Sequence, residues 1–318
     1  MIKLVEELRA EVARLLADGE VKLVIGYENG SDPTRTTPLF VKSADQVQRL
    51  TFSPFAINNL AKYLLDYQLG EGKIGIIAKG CDSRAIVRLL QDKQFPAERL
   101  MVIGVSCPGQ LDSRKVLAQI DPLAKLERVE LKGEEVVLVT DRGQFSLKKT
   151  DYLMDKCKEC ETPRPVLSHK FIGPEPPAGK TPAYEEIARY EAMSPAEKAA
   201  FWDKQFEKCI RCYACRNVCP ACNCRQCCFD QAEPNWLGKG VNASENHMFQ
   251  LTRAMHVAGR CVDCGECDRV CPMDIPLRLL NRKVLKDIKE LFSVPTPGID
   301  DTAPVLGAYR AADPDEFH

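Results

Sequence analysis

Short apolar runs alternate with apolar residues at helical spacing through the first half of the chain. The opening stretch, MIKLVEELRAEVARLL, sets Glu6, Glu7, Arg9, Glu11 and Arg14 among apolar residues and predicts an amphipathic helix, not a membrane-directed segment. Val21 to Tyr27 (VKLVIGY), between Gly19 and Glu28-Asn29-Gly30, reads as a buried strand, and Ser31 to Thr37 (SDPTRTT) is turn chemistry. A second helix is expected from Ser53, with Pro54 at its first position, to about Leu69, with Ile57, Leu60, Leu64 and Leu65 on one face and Gly70 as its stop. Lys73 to Ala78 (KIGIIA) is a strand, Asp82 a helix N-cap candidate, and Ala85, Ile86, Leu89 and Leu90 the apolar face of the next helix. Leu100 to Val105 and Val136 to Thr140 complete the apolar runs. This alternation predicts an α/β N-terminal domain with a largely parallel sheet over residues 1–160.

Punctuation then divides the chain. Pro163, Pro165, Pro174, Pro176, Pro177 and Pro182 mark residues 161–193 as a semi-rigid linker. Ser194-Pro195-Ala196-Glu197 is a capping-box start for a helix carrying Phe201, Trp202 and Phe206. A helix from Ser244 to a C-cap at Gly259 follows, and another from Pro276 to about Phe292 aligns Leu280, Val284, Ile288 and Leu291. Residues 194–292 therefore read as a mainly α-helical second domain, and 293–318 as an extended tail along the surface or against a partner.

Composition narrows the classes. At 318 residues the chain has room for about two domains. With 45% apolar and 28% charged residues it is an ordered globular protein, not a disordered or fibrous one. A net charge of -1, with no dominant Lys or Arg stripe, gives no electrostatic basis for binding nucleic acid or an anionic membrane. No run approaches the ~20 apolar residues of a membrane span. Sixteen cysteines would suggest disulfides in a small secreted protein, but the length of this chain and the grouping of half of them into two motifs point to metal chemistry in a reducing cytoplasm. Gly70, Gly72 and Gly75 match G-x-G-x-x-G, yet the motif follows a helix and opens a strand, the reverse of what a dinucleotide requires.

The chemistry lies in CIRCYACRNVCP, beginning at Cys209, and in its repeat CVDCGECDRVCP, beginning at Cys261. Each is C-x-x-C-x-x-C-x-x-x-C-P, the run with which bacterial-type ferredoxins hold two 4Fe-4S clusters, the fourth cysteine serving the other cluster. The expected sets are Cys209, Cys212, Cys215 and Cys271 for one cluster, and Cys261, Cys264, Cys267 and Cys219 for the other. Zinc normally takes two separated C-x-x-C pairs, which this duplicate does not resemble.

Of the remaining cysteines, Cys81 and Cys107 follow strands and stand at the carboxyl edge of a parallel sheet, and Cys157 and Cys160 follow the last predicted strand. Spacing alone leaves two readings open: a third cluster, or buried structural cysteines with a zinc or fortuitous C-x-x-C. Cys222, Cys224, Cys227 and Cys228 have spacings that suit a cubane poorly. The order KGCDSRAI, IGVSCPG, VTDRGQF and CKEC resembles the coenzyme F420 hydrogenase/dehydrogenase beta-subunit family, which includes a formate dehydrogenase beta subunit. CIRCYACRNVCPACNCRQCCFD and AGRCVDCGECDRVCPMDIPL resemble the dicluster domain fused to such subunits. The resemblance implies that Cys81, Cys107, Cys157 and Cys160 hold a third 4Fe-4S cluster. The family's flavin-binding members carry a Gly-rich N-terminal segment opening a helix, whereas this chain begins with LRAEVARLLADG.

Cluster motifs without a legible substrate site predict an electron-transfer subunit of an anaerobic oxidoreductase. The expected partners are a formate dehydrogenase or hydrogenase catalytic subunit, or a heterodisulfide-reductase-like flavoprotein. The alternative places FAD in the α/β domain, near Ser31 to Thr37 and Lys79, exchanging hydride with coenzyme F420 or NAD(P)H.

Overall fold

The computed structural model describes residues 2–307. They divide into two compact units, Met1–Ser83 with Phe95–Pro182, and Arg84–Gln94 with Ala183–His318.

The first unit runs α1 (Ile2–Ala17), β1 (Leu23–Asn29), β2 (Thr36–Val41), β3 (Leu50–Thr51), β4 (Ile74–Ala78), the start of α2 (Gly80–Gln91), β5 (Leu100–Val105), α3 (Ser113–Leu117), β6 (Leu126–Lys132), β7 (Glu135–Thr140), β8 (Gly143–Lys148), α4 (Lys149–Tyr152), α5 (Asp155–Lys158) and β9 (Lys170–Ile172). Its main sheet has the order β2-β1-β4-β5-β9, with β3 also beside β1. The pairs β1/β4, β4/β5 and β5/β9 are parallel, while β2 and β3 lie antiparallel to β1. The sheet is thus mixed with a parallel centre. β4 (IGIIA) is buried along its whole length, as a strand covered on both faces must be. Leu4, Leu8, Val12 and Leu15 form the buried stripe of α1.

Several expectations are corrected here. Val136 to Thr140 does not join the main sheet; β7 is the centre of a separate antiparallel sheet, β6-β7-β8. The links explain it, because Lys132 pairs with Glu135 and Thr140 with Gly143, and turns this tight join antiparallel neighbours, whereas a parallel crossover needs about a dozen residues. The helix expected from Ser53 begins only at Leu60, as a 3-10 helix to Tyr67, capped by Asn59 accepting from the Ala61 N–H at 3.1 Å. The Pro54 carbonyl accepts from Leu111 N–H and the Phe55 carbonyl from Thr36 Oγ1, so tertiary partners take the acceptors that a helical turn would use. Asp82 lies inside the first turn of α2 and does not precede it. The stretch read as a linker supplies β9 to the main sheet and also holds α6 (Glu185–Glu191).

The second unit carries α6, α7 (Pro195–Glu207), α8 (Ala214–Asn217), α9 (Ala243–His256), α10 (Glu266–Arg269) and α11 (Leu277–Phe292). The capping box of α7 forms as expected, Ser194 Oγ accepting from Glu197 N–H and Ser194 N–H donating to Glu197 Oε2 at 2.7 Å. Trp202 stacks on Phe206 at 5.0 Å, and both pack with Phe249, Ile275 and Leu277. α9 starts one residue before the expected Ser244, with Asn242 as its cap, and ends before Gly259. Beyond α11 the chain is tied down: Thr296 and Val305 are buried, and Val305 packs with Ala258 and Ile288. The last part of the expected tail, residues 308–318, lies outside the described residues.

Candidate functional site

The two cysteine runs fold alike. Arg211 and Asp263, each two residues after the first cysteine, have φ of 51° and 54°, and Tyr213 and Gly265, each before a short helix, have φ of 60° and 69°. Left-handed backbone at three non-glycine residues is costly and persists only where the surroundings hold it. Arg211 is held by Glu245 Oε2, Tyr213 OH and the Gly238 and Gly240 carbonyls, and Asp263 by a bidentate pair with Arg278 at 2.6 and 2.8 Å. α8 and α10 present the third cysteines, Cys215 and Cys267, and the turns after them return Cys219 N–H to Arg216 O and Cys271 N–H to Asp268 O.

The fourth cysteine of each run acts on the other run. Burial pushes the Cys215 thiol up, the Arg253 charge opposes this, and Cys209, Cys271 and Cys212 add to the rise. Burial pushes Cys261 up to about 12, helped by Asp263 and Cys219. Cys267 stands well above the ordinary thiol range through burial, Asp268, and then Cys261 and Cys264. Such crowding disfavours four separate thiolates and suits thiolates neutralised by iron. Donors also point at sulfur: Gln250 Nε2 at Cys209 (3.5 Å), Asn281 Nδ2 at Cys267 (3.6 Å) and Ile275 N–H at Cys271 (3.5 Å). Among the described residues no three His, Cys, Asp or Glu side chains converge as a single metal ion would require. A cubane makes a different demand, one thiolate for each iron corner.

Sequence reasoning missed the polar face of α9. Asn246, Gln250 and Arg253 are buried at helical spacing beside Phe249. Asn246 Nδ2 donates to the Phe206 and Cys209 carbonyls, both at 2.9 Å, fixing the entry to the first run. Both Nη atoms of Arg253 are buried without a hydrogen-bond partner. A guanidinium in that state calls for an anion. The signal was present as Asn246, Gln250 and Arg253 recurring on one helical face with Phe249.

In the first unit, Cys81 opens α2, Cys107 follows β5, and Cys157 sits on α5 with its Sγ accepting from Gln110 N–H at 3.4 Å. Burial, then Cys157 and Cys81, raise the Cys107 thiol well above its ordinary range. Cys160 is half-buried two residues beyond α5, its carbonyl accepting from Lys180 N–H. A fully buried ion pair lies beside these thiols. Lys79 Nζ donates to Tyr27 OH (2.6 Å), Asn58 O (2.6 Å) and Asp82 Oδ2 (2.8 Å). Burial opposes the Lys79 charge, but Asp82 and then Cys81 outweigh it and raise its pKa.

This arrangement does not fit a flavin pyrophosphate at Lys79. Its ammonium is consumed inside the unit, and a Cβ on Gly80 would stand 1.5 Å from the Thr162 carbonyl oxygen, so Gly80 accommodates chain and not phosphate. Elsewhere, Cys222 donates to Cys219 and lowers its pKa, while Arg216, bound to Asp230 at 2.9 Å, neighbours Cys227.

Residues 205–275 match the family described as the 4Fe-4S dicluster domain. The second unit carries a dicluster domain. Over about nine-tenths of its length the chain is similar to formate dehydrogenase beta subunits. It is 24% identical over 350 residues to the F420-dependent formate dehydrogenase subunit beta of Methanocaldococcus jannaschii, covering 92% of this chain and 90% of that protein. It is 26% identical over 353 residues to the F420-dependent formate dehydrogenase 1 subunit beta of Methanococcus maripaludis, covering 91% and 89%. Sulfhydrogenase 2 subunit beta of Pyrococcus furiosus matches over 137 residues at 26% identity, 34% of this chain and 40% of that protein. Among solved structures, a chain of the F420-reducing NiFe hydrogenase complex from Methanosarcina barkeri aligns at a TM-score of 0.41 and 15% identity, covering 50% of this chain and 62% of that one. The dicluster domain spans both cysteine runs and α9 between them.

Proposed function

We propose that this protein is the iron-sulfur electron-transfer subunit of a multi-subunit anaerobic oxidoreductase of the formate dehydrogenase, hydrogenase or heterodisulfide-reductase-like kind. The observation that supports the ligand assignment is electrostatic: the Cys271 charge acts on Cys215 and the Cys219 charge on Cys261, as an exchange of fourth cysteines requires. One cluster is assigned to Cys209, Cys212, Cys215 and Cys271, the other to Cys261, Cys264, Cys267 and Cys219. A third is assigned to Cys81, Cys107, Cys157 and Cys160, whose mutual influence at Cys81, Cys107 and Cys157 supports it. Bound clusters supply one-electron redox chemistry, and the protein contributes ligands, burial and donors to sulfur. Gln250, Asn281 and the backbone N–H groups of Ile275 and Gln110 are those donors.

Iron and acid-labile sulfide are to be counted on anaerobically purified protein, with paramagnetic resonance after reduction. About twelve irons per chain are expected for three cubanes, about eight would remove the first unit's cluster, and zinc in place of iron would overturn the proposal. A second reading is a flavin-containing subunit acting with F420 or NAD(P)H; the F420-dependence in the names of the formate dehydrogenase relatives favours its F420 part. Flavin released on denaturation would support it; none after reconstitution with FAD rejects it.

A further inference from the structure

We infer that Arg253 is a counter-cation shared by both clusters of the dicluster domain, positioned to raise the reduction potential of each. This rests on the cluster assignment proposed above. Arg253 stands on α9, the helix joining the two cysteine runs, and is 2% exposed. Its Nε donates to Gln250 Oε1 at 3.4 Å, and neither Nη atom has a hydrogen-bond partner. Gln250 in turn donates to Cys209 Sγ, so one amide fixes both the guanidinium and a proposed ligand of the first cluster.

Three other buried arginines of this unit differ. Arg211 pairs with Glu245, and Arg278 and Arg282 pair with Asp263, so carboxylates offset their charge. At both Nη atoms Arg253 meets no carboxylate, and its charge acts on Cys215 of one proposed set and on Cys219 and Cys267 of the other. A position that excludes water and offers no protein acceptor demands an anion with several acceptor atoms. Thiolates and sulfides on both sides satisfy that demand. Reduction adds a negative charge to a cluster, and a fixed cation in a medium of low dielectric stabilises the more negative state. Removing the cation therefore lowers the potential of both clusters while leaving every ligand in place.

The test is a redox titration of the full chain followed by paramagnetic resonance, with iron content measured on the same samples, for wild type, Arg253→Met, Arg253→Gln and Arg253→Lys. The neutral variants are expected to lower the reduced-to-oxidised ratio of both dicluster signals about tenfold at fixed potential, a shift of about 59 mV for one electron. Arg253→Lys should retain most of the wild-type ratio. Loss of iron from both neutral variants, with a full complement in Arg253→Lys, also supports the inference, because only a cation then permits assembly. Unchanged potentials in loaded neutral variants, a shift in one cluster alone, or loss of iron from all three variants overturns it. Wild-type protein without iron-sulfur signals is a separate result, and it defeats the cluster assignment itself.

Discussion

Asp82→Asn should loosen the first unit, and adding Lys79→Met should largely restore it. Asp82 and Lys79 are both fully buried, and the ammonium pairs with Asp82 Oδ2 at 2.8 Å, with Tyr27 OH and the Asn58 carbonyl as neutral partners. Breaking a buried pair from one side leaves an uncompensated charge and costs about 3–5 kcal/mol, whereas replacing both charges is close to neutral. Lys79→Met alone should be milder, because the carboxylate keeps three donors that do not involve the Lys79 side chain, Tyr27 OH (3.2 Å), Lys79 N–H (3.2 Å) and Leu60 N–H (3.3 Å). Hydrogen exchange of the β4 amides reads this opening within the unit that contains the pair. At about 1.4 kcal/mol per tenfold, Asp82→Asn should speed their exchange between about a hundredfold and a few thousandfold, and the double variant should return most of that protection. A double variant that exchanges as fast as Asp82→Asn, or faster, would refute the reasoning.

Three further outcomes are expected. Cys219→Ser should perturb the paramagnetic signal of the cluster assigned to Cys261, Cys264 and Cys267; loss of the first run's signal alone would show that the fourth ligands do not cross. At the start of α7, Ser194→Ala should cost about 1 kcal/mol of local stability, read from exchange in the first helical turn. The Ser194 backbone and side chain hold the Glu197 carboxyl below its ordinary range, so the stability it confers is present above that range and disappears as pH falls through the lowered value. Glu197→Gln should flatten this acid limb, and an unaltered limb would show that the capping box is not its source.

Cysteine spacing and strand composition carried most of what was legible. The two runs declare themselves because a cubane needs thiolates from one tight loop, and β1, β4 and β5 because apolar runs of this length belong in a sheet covered on both faces. What stayed hidden depends on partners distant in sequence. The 53–59 segment reads as helix until Leu111 and Thr36 claim its carbonyls. β7 reads as one more parallel strand unless the tight links to β6 and β8 are weighed above its apolar composition. Arg253 gave no sign in the sequence and Lys79 suggested a cofactor, since nothing local says that the charge of one acts on cysteine thiols and that the other pairs with a buried carboxylate.

The β6-β7-β8 sheet, lying in the chain between β5 and β9, also sets a timetable. Ile103 to Val105 of β5 pair with Lys170 to Ile172 of β9, so the main sheet stays unfinished until the intervening sheet and the Cys157–Cys160 turn have been synthesised. At about 5–20 residues per second, Cys107 leaves the ribosome several seconds before that pairing can form. Until Cys157 and Cys160 have been made, Cys81 and Cys107 have neither beside them. A nascent chain in an oxidising setting would meet its greatest risk of wrong disulfides then, and a cluster held by the four proposed cysteines of the first unit could assemble only once Cys160 has been made.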